Sequence, residues 1–185
     1  MRLFIGIPLP SEVADALNRL SCSLRSADDN LRWSSPQTWH ITLQFLGATS
    51  VESYGCLVHH LGAIKSPTVP IWLHGTGFFG RAGVFFAGVN VSPELHQLER
   101  FIIAATSQCG LVAEERSYHP HVTLARAKGD NRANALRKLK SCVKSETEFP
   151  AFTAQEFVLY ESFLGPGGAR HEIRDRFPLG QSSQL

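Results

Sequence analysis

A histidine and a threonine two residues apart occur twice in the sequence, each time in an apolar run. The first run is "WHITLQFLG", with His40 and Thr42, and the second is "HPHVTLAR", with His121 and Thr123. With eight histidines in the chain, composition alone predicts roughly 0.04 matches to His-x-Thr-Leu, yet two occur. A polar strand face in contact with water would explain a single motif, whereas the repetition favours a functional pair.

The alternation of a strand places these side chains together, because residues two apart point to the same face. His40, Thr42 and Gln44 are therefore predicted to share one face, and His121 is predicted to share one with Thr123. Imidazole, with an unperturbed pKa of about 6.5, can serve as base or acid near neutral pH. Two imidazoles suit in-line displacement at phosphorus, where one deprotonates the attacking oxygen and the other protonates the leaving oxygen. The hydroxyls can donate hydrogen bonds to the phosphoryl oxygens.

The elements that carry the motifs are predicted in the same order in both halves. The first half reads as a strand at 2–9, a helix that begins at Ser11, the His40 strand and a helix with Leu57 and Leu61. The second half reads as a strand at 83–90, a helix that begins at Ser92, the His121 strand and a basic helix around Leu136. Further strands are predicted at 70–79, 152–164 and 170–179. This mixture predicts an α+β fold rather than a parallel doubly wound sheet.

With these motifs the sequence resembles the two-histidine (2H) phosphoesterases, and within them the RNA 2',3'-cyclic 3'-phosphodiesterase and 2'-5' RNA ligase family. The opening "RLFIGIPLP" and the C-terminal "LYESFLGPGGARHEIRDRFPL" are similar as well. The resemblance implies one bilobal domain over 1–185, in which two antiparallel sheets flanked by helices form a pseudo-twofold duplication around a central cleft. It also implies hydrolysis of terminal 2',3'-cyclic phosphates on RNA to 2'-phosphates and, in the reverse sense, joining of RNA ends by a 2'-5' bond.

The resemblance assigns a role to each motif residue. His121 would be the base that activates water, and His40 the acid that protonates the departing 3'-oxygen. Thr42 and Thr123 would hold the phosphate.

Three further residues are candidates for substrate contact, and the role of a fourth is left open. Phe45 matches an aromatic that the family can place against the base, and Arg126 matches a phosphate-binding arginine. Strict alternation sends both to the face opposite the histidines, so each role requires a bend at the strand end. His119 is predicted either to touch substrate or to lie at the rim. The family often has tyrosine where this chain has His171, so that position is left without a role.

No metal or cofactor is expected, because "HPH" has no nearby carboxylate or cysteine to complete a ligand set. The expected partners are RNA 3' ends or small cyclic nucleotides, and the chain is expected to be a monomer. Arg170, Arg174 and Arg176 alternate along the last strand, either as a solvated face or as a guide for RNA phosphates. Two alternatives stay open: a phosphodiesterase acting on 2'-5' oligonucleotides or small cyclic nucleotides, and a non-catalytic module that binds RNA ends. The complete set of histidines and threonines favours an enzyme.

Composition sets the broader limits. The hydrophobic fraction of 43% and a net charge of +2 exclude a disordered chain and a strongly basic nucleic-acid coat. The four cysteines fall in predicted helices without a C-x-x-C pair, and they are expected to be reduced and buried. The opening apolar run is too short to span a membrane. Together these features predict a cytoplasmic protein that does not bind membranes.

Overall fold

The computed structural model describes residues 1–26, 29–112, 117–129, 132–143, 147–165 and 168–180. The helices within these ranges are α1 (Ser11–Leu24), α2 (Val51–Gly62), α3 (Pro93–Ser107) and α4 (Arg132–Cys142), with a short 3-10 helix at Pro36–Thr38. The strands are β1 (Arg2–Pro8), β2 (Leu31–Trp33), β3 (His40–Ala48), β4 (Val69–Ile71), β5 (Leu73–Phe79), β6 (Val84–Val89), β7 (His121–Ala127), β8 (Phe152–Ala154), β9 (Glu156–Gly165) and β10 (Gly168–Pro178).

Two four-stranded antiparallel sheets form the two lobes. The first sheet has the strand order β10-β9-β1-β3, and the second has the order β2-β7-β6-β5. Strands β4 and β8 form a separate two-stranded antiparallel pair. The two histidine strands lie in different sheets and approach each other, because β3 contacts β7. The predicted α+β fold with two antiparallel sheets around a cleft is confirmed.

Strand β1 is buried on both of its faces. Leu3, Ile5 and Ile7 belong to the main hydrophobic core, whereas Phe4 belongs to a smaller cluster with Val158 and Tyr160 of β9. The alternating residues of β1 therefore serve two different sides of the first sheet. The smaller cluster lies on the side that also carries His40, since the ring of Phe4 contacts that imidazole.

Helices α2 and α3 cover the other side of the first sheet. The hydroxyl of Tyr54 on α2 donates to the carboxylate of Asp175 on β10. The hydroxyl of Thr106 on α3 donates to Oε1 of Gln44 on β3 at 3.0 Å. Helix α3 follows a strand of the second sheet but packs against the first, so the two halves of the chain interlock.

The predicted start of α3 is confirmed, and several predicted boundaries are wrong. Ser92 accepts a hydrogen bond from the backbone of Leu95, and Pro93 occupies the first turn of the helix. The single strands predicted at 70–79 and 152–164 are each two strands, because the chain leaves one sheet for another near Trp72 and Gln155. Strand β2 was not predicted, since three residues are too few to show a period.

The prediction of four reduced and buried cysteines is wrong. Cys56 of α2 and Cys109, two residues after α3, form a disulfide with a Cα–Cα separation of 5.8 Å. The packing of α2 against α3 brings the two residues into disulfide range. Cys22 and Cys142 are free thiols, and both are exposed. No helix in the described ranges combines the length and the apolar character needed to cross a bilayer.

Candidate active site

Both motif histidines are held in the same way by their own strands. Nδ1 of His40 lies 2.7 Å from the carbonyl oxygen of Thr38, and Nδ1 of His121 lies 2.8 Å from that of His119. Because a carbonyl can only accept, Nδ1 carries the proton in each contact. Nε2 is therefore the nitrogen left to exchange a proton with a substrate, and each ring is oriented by the carbonyl two residues before it.

A β-bulge interrupts the alternation at the same place in both motifs. In β3, Gln44 pairs with Ile5 and Thr42 with Gly6, which leaves Leu43 without a partner. In β7, Ala125 pairs with Phe85 and Thr123 with Phe86, so Leu124 is the extra residue. Two consecutive residues are then buried in each strand, Leu43 with Gln44 and Leu124 with Ala125. A bulge of this kind returns the following side chain to the opposite face.

The predicted position of Gln44 beside His40 and Thr42 is therefore wrong. Gln44 is buried on the helix side of the sheet, where its Oε1 accepts from Thr106. The bulge in β3 supplies the bend that Phe45 requires, and the bulge in β7 supplies the bend that Arg126 requires. Phe45 is 56% exposed, and its ring lies 6.0 Å from that of Phe4, which in turn contacts His40.

Arg126 lies near both histidines. Its positive charge lowers the pKa of His40 and also the pKa of His121, which places the guanidinium within electrostatic reach of each imidazole. The charge of His121 likewise lowers the pKa of His40. The hydroxyl of Tyr118 donates to the carbonyl oxygen of Thr42 at 3.4 Å, which links the segment before β7 to β3. The structure therefore brings His40, His121 and Arg126 into one region.

His40 lies against three rings. The centroids of Phe4, Tyr160 and His171 are 4.6, 5.5 and 5.2 Å from the imidazole. Burial, opposed by the hydrogen bond to Thr38 and assisted by the charge of His171, lowers the pKa of His40 to about 4. At neutral pH the free protein therefore holds His40 in its neutral form.

Gly6 makes room for this imidazole. A Cβ at that position would lie 2.8 Å from the carbonyl oxygen of Ile41 and 3.5 Å from Cδ2 of His40. The first distance is one that real Cβ atoms essentially never show. The missing side chain allows β3 to approach β1 closely while the imidazole lies beside it.

His121 has a more open surround, made of two phenylalanines. Phe79 and Phe86 stack at 4.3 Å, and their centroids lie 5.0 and 5.3 Å from the imidazole. Burial lowers the pKa of His121, the carbonyl of His119 opposes the shift, and the charges of Arg126 and His119 add to it. His119 itself is exposed, and its Nδ1 lies 2.9 Å from the carbonyl of Ser117.

The two motif threonines are partly buried, and each lies two residues after its histidine. Thr42 lies across from Gly6 in β1, and Thr123 lies across from Phe86 in β6. The bulges come after both threonines, so each shares a face with its histidine, as predicted. The side-chain hydrogen bonds of the described residues involve neither hydroxyl, which leaves both available to a ligand.

Arg32 is a basic residue of the site that the motifs did not indicate. It lies directly across from Arg126, because β2 pairs with the end of β7 in that register. Both arginines are exposed, and neither forms an ion pair within the part of the chain that the structure describes. Like charges directly opposite on neighbouring strands are destabilising, and an anion bound between them would relieve the repulsion. The only indication of Arg32 in the sequence was the isolated pair "RW", Arg32 and Trp33, before the first motif.

The arginines of the last strand are engaged elsewhere. Arg170 pairs with Glu172, Arg174 with Glu161 and Arg176 with Glu156. Since every one of the three charges has a carboxylate partner, Arg32 and Arg126 are the better anion-binding candidates.

His171 occupies a position that the sequence left without a role. Its ring meets His40 edge-on at 5.2 Å and Phe4 at 4.9 Å. Its Nδ1 is buried and has no hydrogen-bond partner in the described residues, while burial lowers its pKa. The structure thus places a third imidazole beside His40.

The sequence profile of the 2'-5' RNA ligase superfamily matches residues 9–163 of the chain. This span contains both histidine motifs and their bulges, together with Phe45 and Tyr160. The chain belongs to the 2'-5' RNA ligase superfamily, and the family resemblance drawn from the motifs is confirmed.

The relatives carry a more specific name. The chain is 29% identical over 181 residues to an RNA 2',3'-cyclic phosphodiesterase of Geobacillus stearothermophilus, an alignment of 95% of this chain and 56% of the relative. It is 26% identical over 186 residues to the enzyme of that name from Escherichia coli K12, with 97% of each chain covered. The chain thus spans just over half of the first relative and nearly all of the second.

The structure is similar to solved structures of Escherichia coli LigT. The apo form matches with a TM-score of 0.81 at 27% identity, covering 97% of this chain and 98% of LigT. LigT complexed with 3'-AMP matches with a TM-score of 0.81 at 26% identity, with the same coverage. The fold is therefore that of LigT.

Proposed function

We propose that the protein hydrolyses terminal 2',3'-cyclic phosphates on RNA to 2'-phosphates by paired-histidine acid–base catalysis without a metal. The observation that carries this proposal is the equivalent anchoring of two imidazoles, each held at Nδ1 by a carbonyl and each followed by a threonine on the same face. The phosphodiesterase names of the relatives support the class of reaction.

The step balances with these two groups alone. Nε2 of His121 accepts a proton from water as the water oxygen attacks phosphorus, and the bond from phosphorus to the 3'-oxygen breaks. Nε2–H of His40 gives its proton to the departing 3'-oxygen, which leaves a 3'-hydroxyl and a 2'-phosphate. Proton transfer between the imidazoles through solvent resets both residues. Thr42, Thr123 and Arg126 bind the phosphoryl oxygens, whose charge grows in the transition state.

Because the pKa of His40 is low, protonation of this acid depends on the bound substrate. An acid with a pKa of about 4 is almost entirely deprotonated at neutral pH. The cyclic phosphate carries one negative charge, and an anion beside an imidazole favours the protonated form. Binding of the phosphate therefore raises the pKa of His40 and supplies the acid that the leaving oxygen needs.

The rest of the RNA is held on either side of this centre. Phe45, next to Phe4, offers an exposed ring against which the terminal base stacks. Arg32, which lies directly across from Arg126, binds the phosphate that joins the terminal nucleotide to the one before it. His119 lies at the rim. An oligonucleotide engages both arginines, whereas a mononucleotide has no such second phosphate.

Two other functions use the same residues. The similar LigT has been solved in complex with 3'-AMP, and nucleotide binding by this chain would fit an enzyme that acts on small cyclic nucleotides or 2'-5' oligonucleotides. A non-catalytic module would bind the same ends without turnover. Joining of RNA ends by a 2'-5' bond would use the same two histidines, with a 5'-hydroxyl in place of water as the oxygen that attacks phosphorus while the 3'-oxygen leaves.

One assay separates these functions. Purified protein is incubated with a cyclic-phosphate-ended oligoribonucleotide, with 2',3'-cyclic AMP and with a 2'-5' dinucleotide, in the presence of EDTA, and 2'- and 3'-phosphate products are resolved. The proposal requires 2'-phosphate from the oligoribonucleotide, at an undiminished rate in EDTA. Binding without turnover would make the protein a module, and turnover restored only by added metal would overturn the two-histidine mechanism.

A further inference from the structure

Three metal-ligating side chains meet on the side of the first sheet opposite the cleft. Cys56 and His60 are one helical turn apart on α2, and Cys109 comes from the segment after α3. Their Sγ and imidazole nitrogen atoms all lie within 4.8 Å of one another, and each residue is partly buried. None of the three belongs to the proposed catalytic centre.

The spacing on α2 is itself a metal-ligand spacing. Residues four apart on a helix lie on the same face with their Cβ atoms about 5–6 Å apart, so Cys56 and His60 can hold one ion between them. Cys109 completes a set of two sulfurs and one nitrogen from a second element. A cavity of about 400 Å³ borders His60 and is also lined by Ile64 and Phe101, and it gives water access to a fourth coordination position.

The sulfur atoms of Cys56 and Cys109 are bonded to each other in this structure. A dithiol reductant breaks that bond by supplying two electrons and two protons, and it is itself oxidised to a disulfide. The product is a pair of thiols beside His60. Metal binding then releases one proton from each thiol.

We propose that the dithiol form of this cluster is a zinc site, with Cys56, His60 and Cys109 as ligands and a water molecule as the fourth. Two thiolates and an imidazole are the donors that Zn²⁺ takes in tetrahedral protein sites, whereas Mg²⁺ and Ca²⁺ require oxygen. Disulfide and zinc exclude each other because they use the same two sulfurs. The site therefore holds zinc in reducing surroundings and a covalent bond in oxidising ones.

Both states join α2 to the end of α3. That end carries Thr106, which donates to Gln44 in the bulge of β3. Since either link holds the two helices together on the first sheet, we expect zinc to stabilise the reduced fold and to leave catalysis in the cleft unchanged.

The test uses Co²⁺ as a spectroscopic substitute for zinc. The full chain carrying Cys22→Ser and Cys142→Ser, which removes the two exposed thiols, is reduced with an immobilised dithiol and titrated anaerobically. We expect one Co²⁺ per chain, a thiolate-to-cobalt charge-transfer band, the visible bands of a tetrahedral ion, and displacement by Zn²⁺. The oxidised protein should show none of these bands.

Variants assign the ligands. Cys109→Ser should weaken both the charge-transfer band and Co²⁺ binding, because only the Cys56 thiolate remains, and His60→Ala should weaken Co²⁺ binding at least about tenfold. His59→Ala is the matched control, because His59 is the exposed neighbour on the same helix, and it should bind as the parent does. His60→Ala retains both cysteines, so it gives an answer even if a cysteine variant fails to fold.

Three results would overturn the zinc site: no band in the reduced protein, a band of undiminished intensity in Cys109→Ser, or equal binding by the His59→Ala and His60→Ala variants. Phosphodiesterase turnover is measured on the same samples with and without EDTA. Failure of the zinc site would leave that turnover intact, and failure of the proposed function would leave the cobalt bands intact, so the two outcomes are separable.

Discussion

His40 and His121 have the same backbone arrangement around them, but the neighbouring side chains differ. Each imidazole is held by the carbonyl two residues before it, and each strand bulges after the threonine. Around His40 stand a phenylalanine, a tyrosine and a second histidine, whereas around His121 stand two phenylalanines. Both lobes thus use the same backbone arrangement to orient the imidazole. The side chains that set the pKa of that imidazole differ between the lobes. The first lobe lowers the pKa of its histidine to about 4.

The largest effect is expected from removing either imidazole. His40→Ala and His121→Ala should each lower turnover of a cyclic-phosphate-ended oligoribonucleotide by about 10²–10⁴-fold, the usual contribution of a positioned acid or base. The double variant should lose less than the product of the two single losses, because residues that act as one unit are not additive. Steady-state kinetics measure all three, with His74→Ala as the control, since this exposed histidine lies outside the motifs. A single variant with full activity would contradict the paired mechanism.

Arginine variants test whether the anion site belongs to the cleft. Arg126→Ala should lower kcat/KM by about 10- to 100-fold, the value of one lost charged hydrogen bond. Arg32→Ala should weaken the oligoribonucleotide several-fold and leave 2',3'-cyclic AMP nearly unaffected, because the mononucleotide lacks the second phosphate. Arg170→Ala removes a charge already paired with Glu172 and serves as the matched control. Equal losses on both substrates for Arg32→Ala would remove the second phosphate from the proposal.

The pH dependence of kcat/KM should have its maximum on the acid side of neutrality. The reaction needs one proton shared by the two imidazoles; in the free protein the pKa of His40 is about 4, and burial lowers the pKa of His121 from its ordinary value. On the alkaline side of both pKa values the proton is lost from both groups, so kcat/KM should fall up to tenfold per pH unit. Below pH 4 both are protonated and no base remains.

The profile is measured with 2',3'-cyclic AMP from pH 3.5 to 8.5. The optimum of kcat at saturating substrate should lie higher than that of kcat/KM, because the bound phosphate raises the pKa of His40. A maximum of kcat/KM at or above pH 7.5 would contradict the low pKa of the first lobe.

The smallest expected effect is a shift of one limb of the pH profile, and it tests whether the two histidines titrate independently. The charge of His171 lowers the pKa of His40, and the charge of His119 lowers that of His121. His171→Phe should therefore move the acid limb of the kcat/KM profile upward by less than about one pH unit, and His119→Phe should move the alkaline limb upward by a similar amount. Movement of the same limb by both variants would show that the lobes do not titrate independently.

The sequence predicted the features that depend on local pattern. The histidine strands, the helix start at Ser92 and the apolar faces of the helices all follow from residues near one another in the chain. The α+β architecture followed from their order.

The features that failed depend on packing between distant segments. Gln44 has the character of a surface residue, and only Thr106, 62 residues away, explains its burial. The bulge at Leu43 inserts one backbone residue, and no residue type in this stretch of the sequence indicates it. The disulfide joins cysteines 53 residues apart, and Arg32 reaches Arg126 through a strand of three residues. Each of these required the register of two strands or the contact of two helices.

The strand order implies that the two sheets are completed at different times during synthesis. All four strands of the second sheet lie between Leu31 and Ala127, so this sheet can close before the rest of the chain leaves the ribosome. The first sheet must wait, because β1 lies between β3 and β9, and β9 begins only at Glu156. Until then one edge of β1 has no hydrogen-bonded neighbour, and contacts of such long sequence separation form slowly. His121 therefore acquires its aromatic neighbours early, whereas the wall of Tyr160 and His171 around His40 is the last part of the centre to be made.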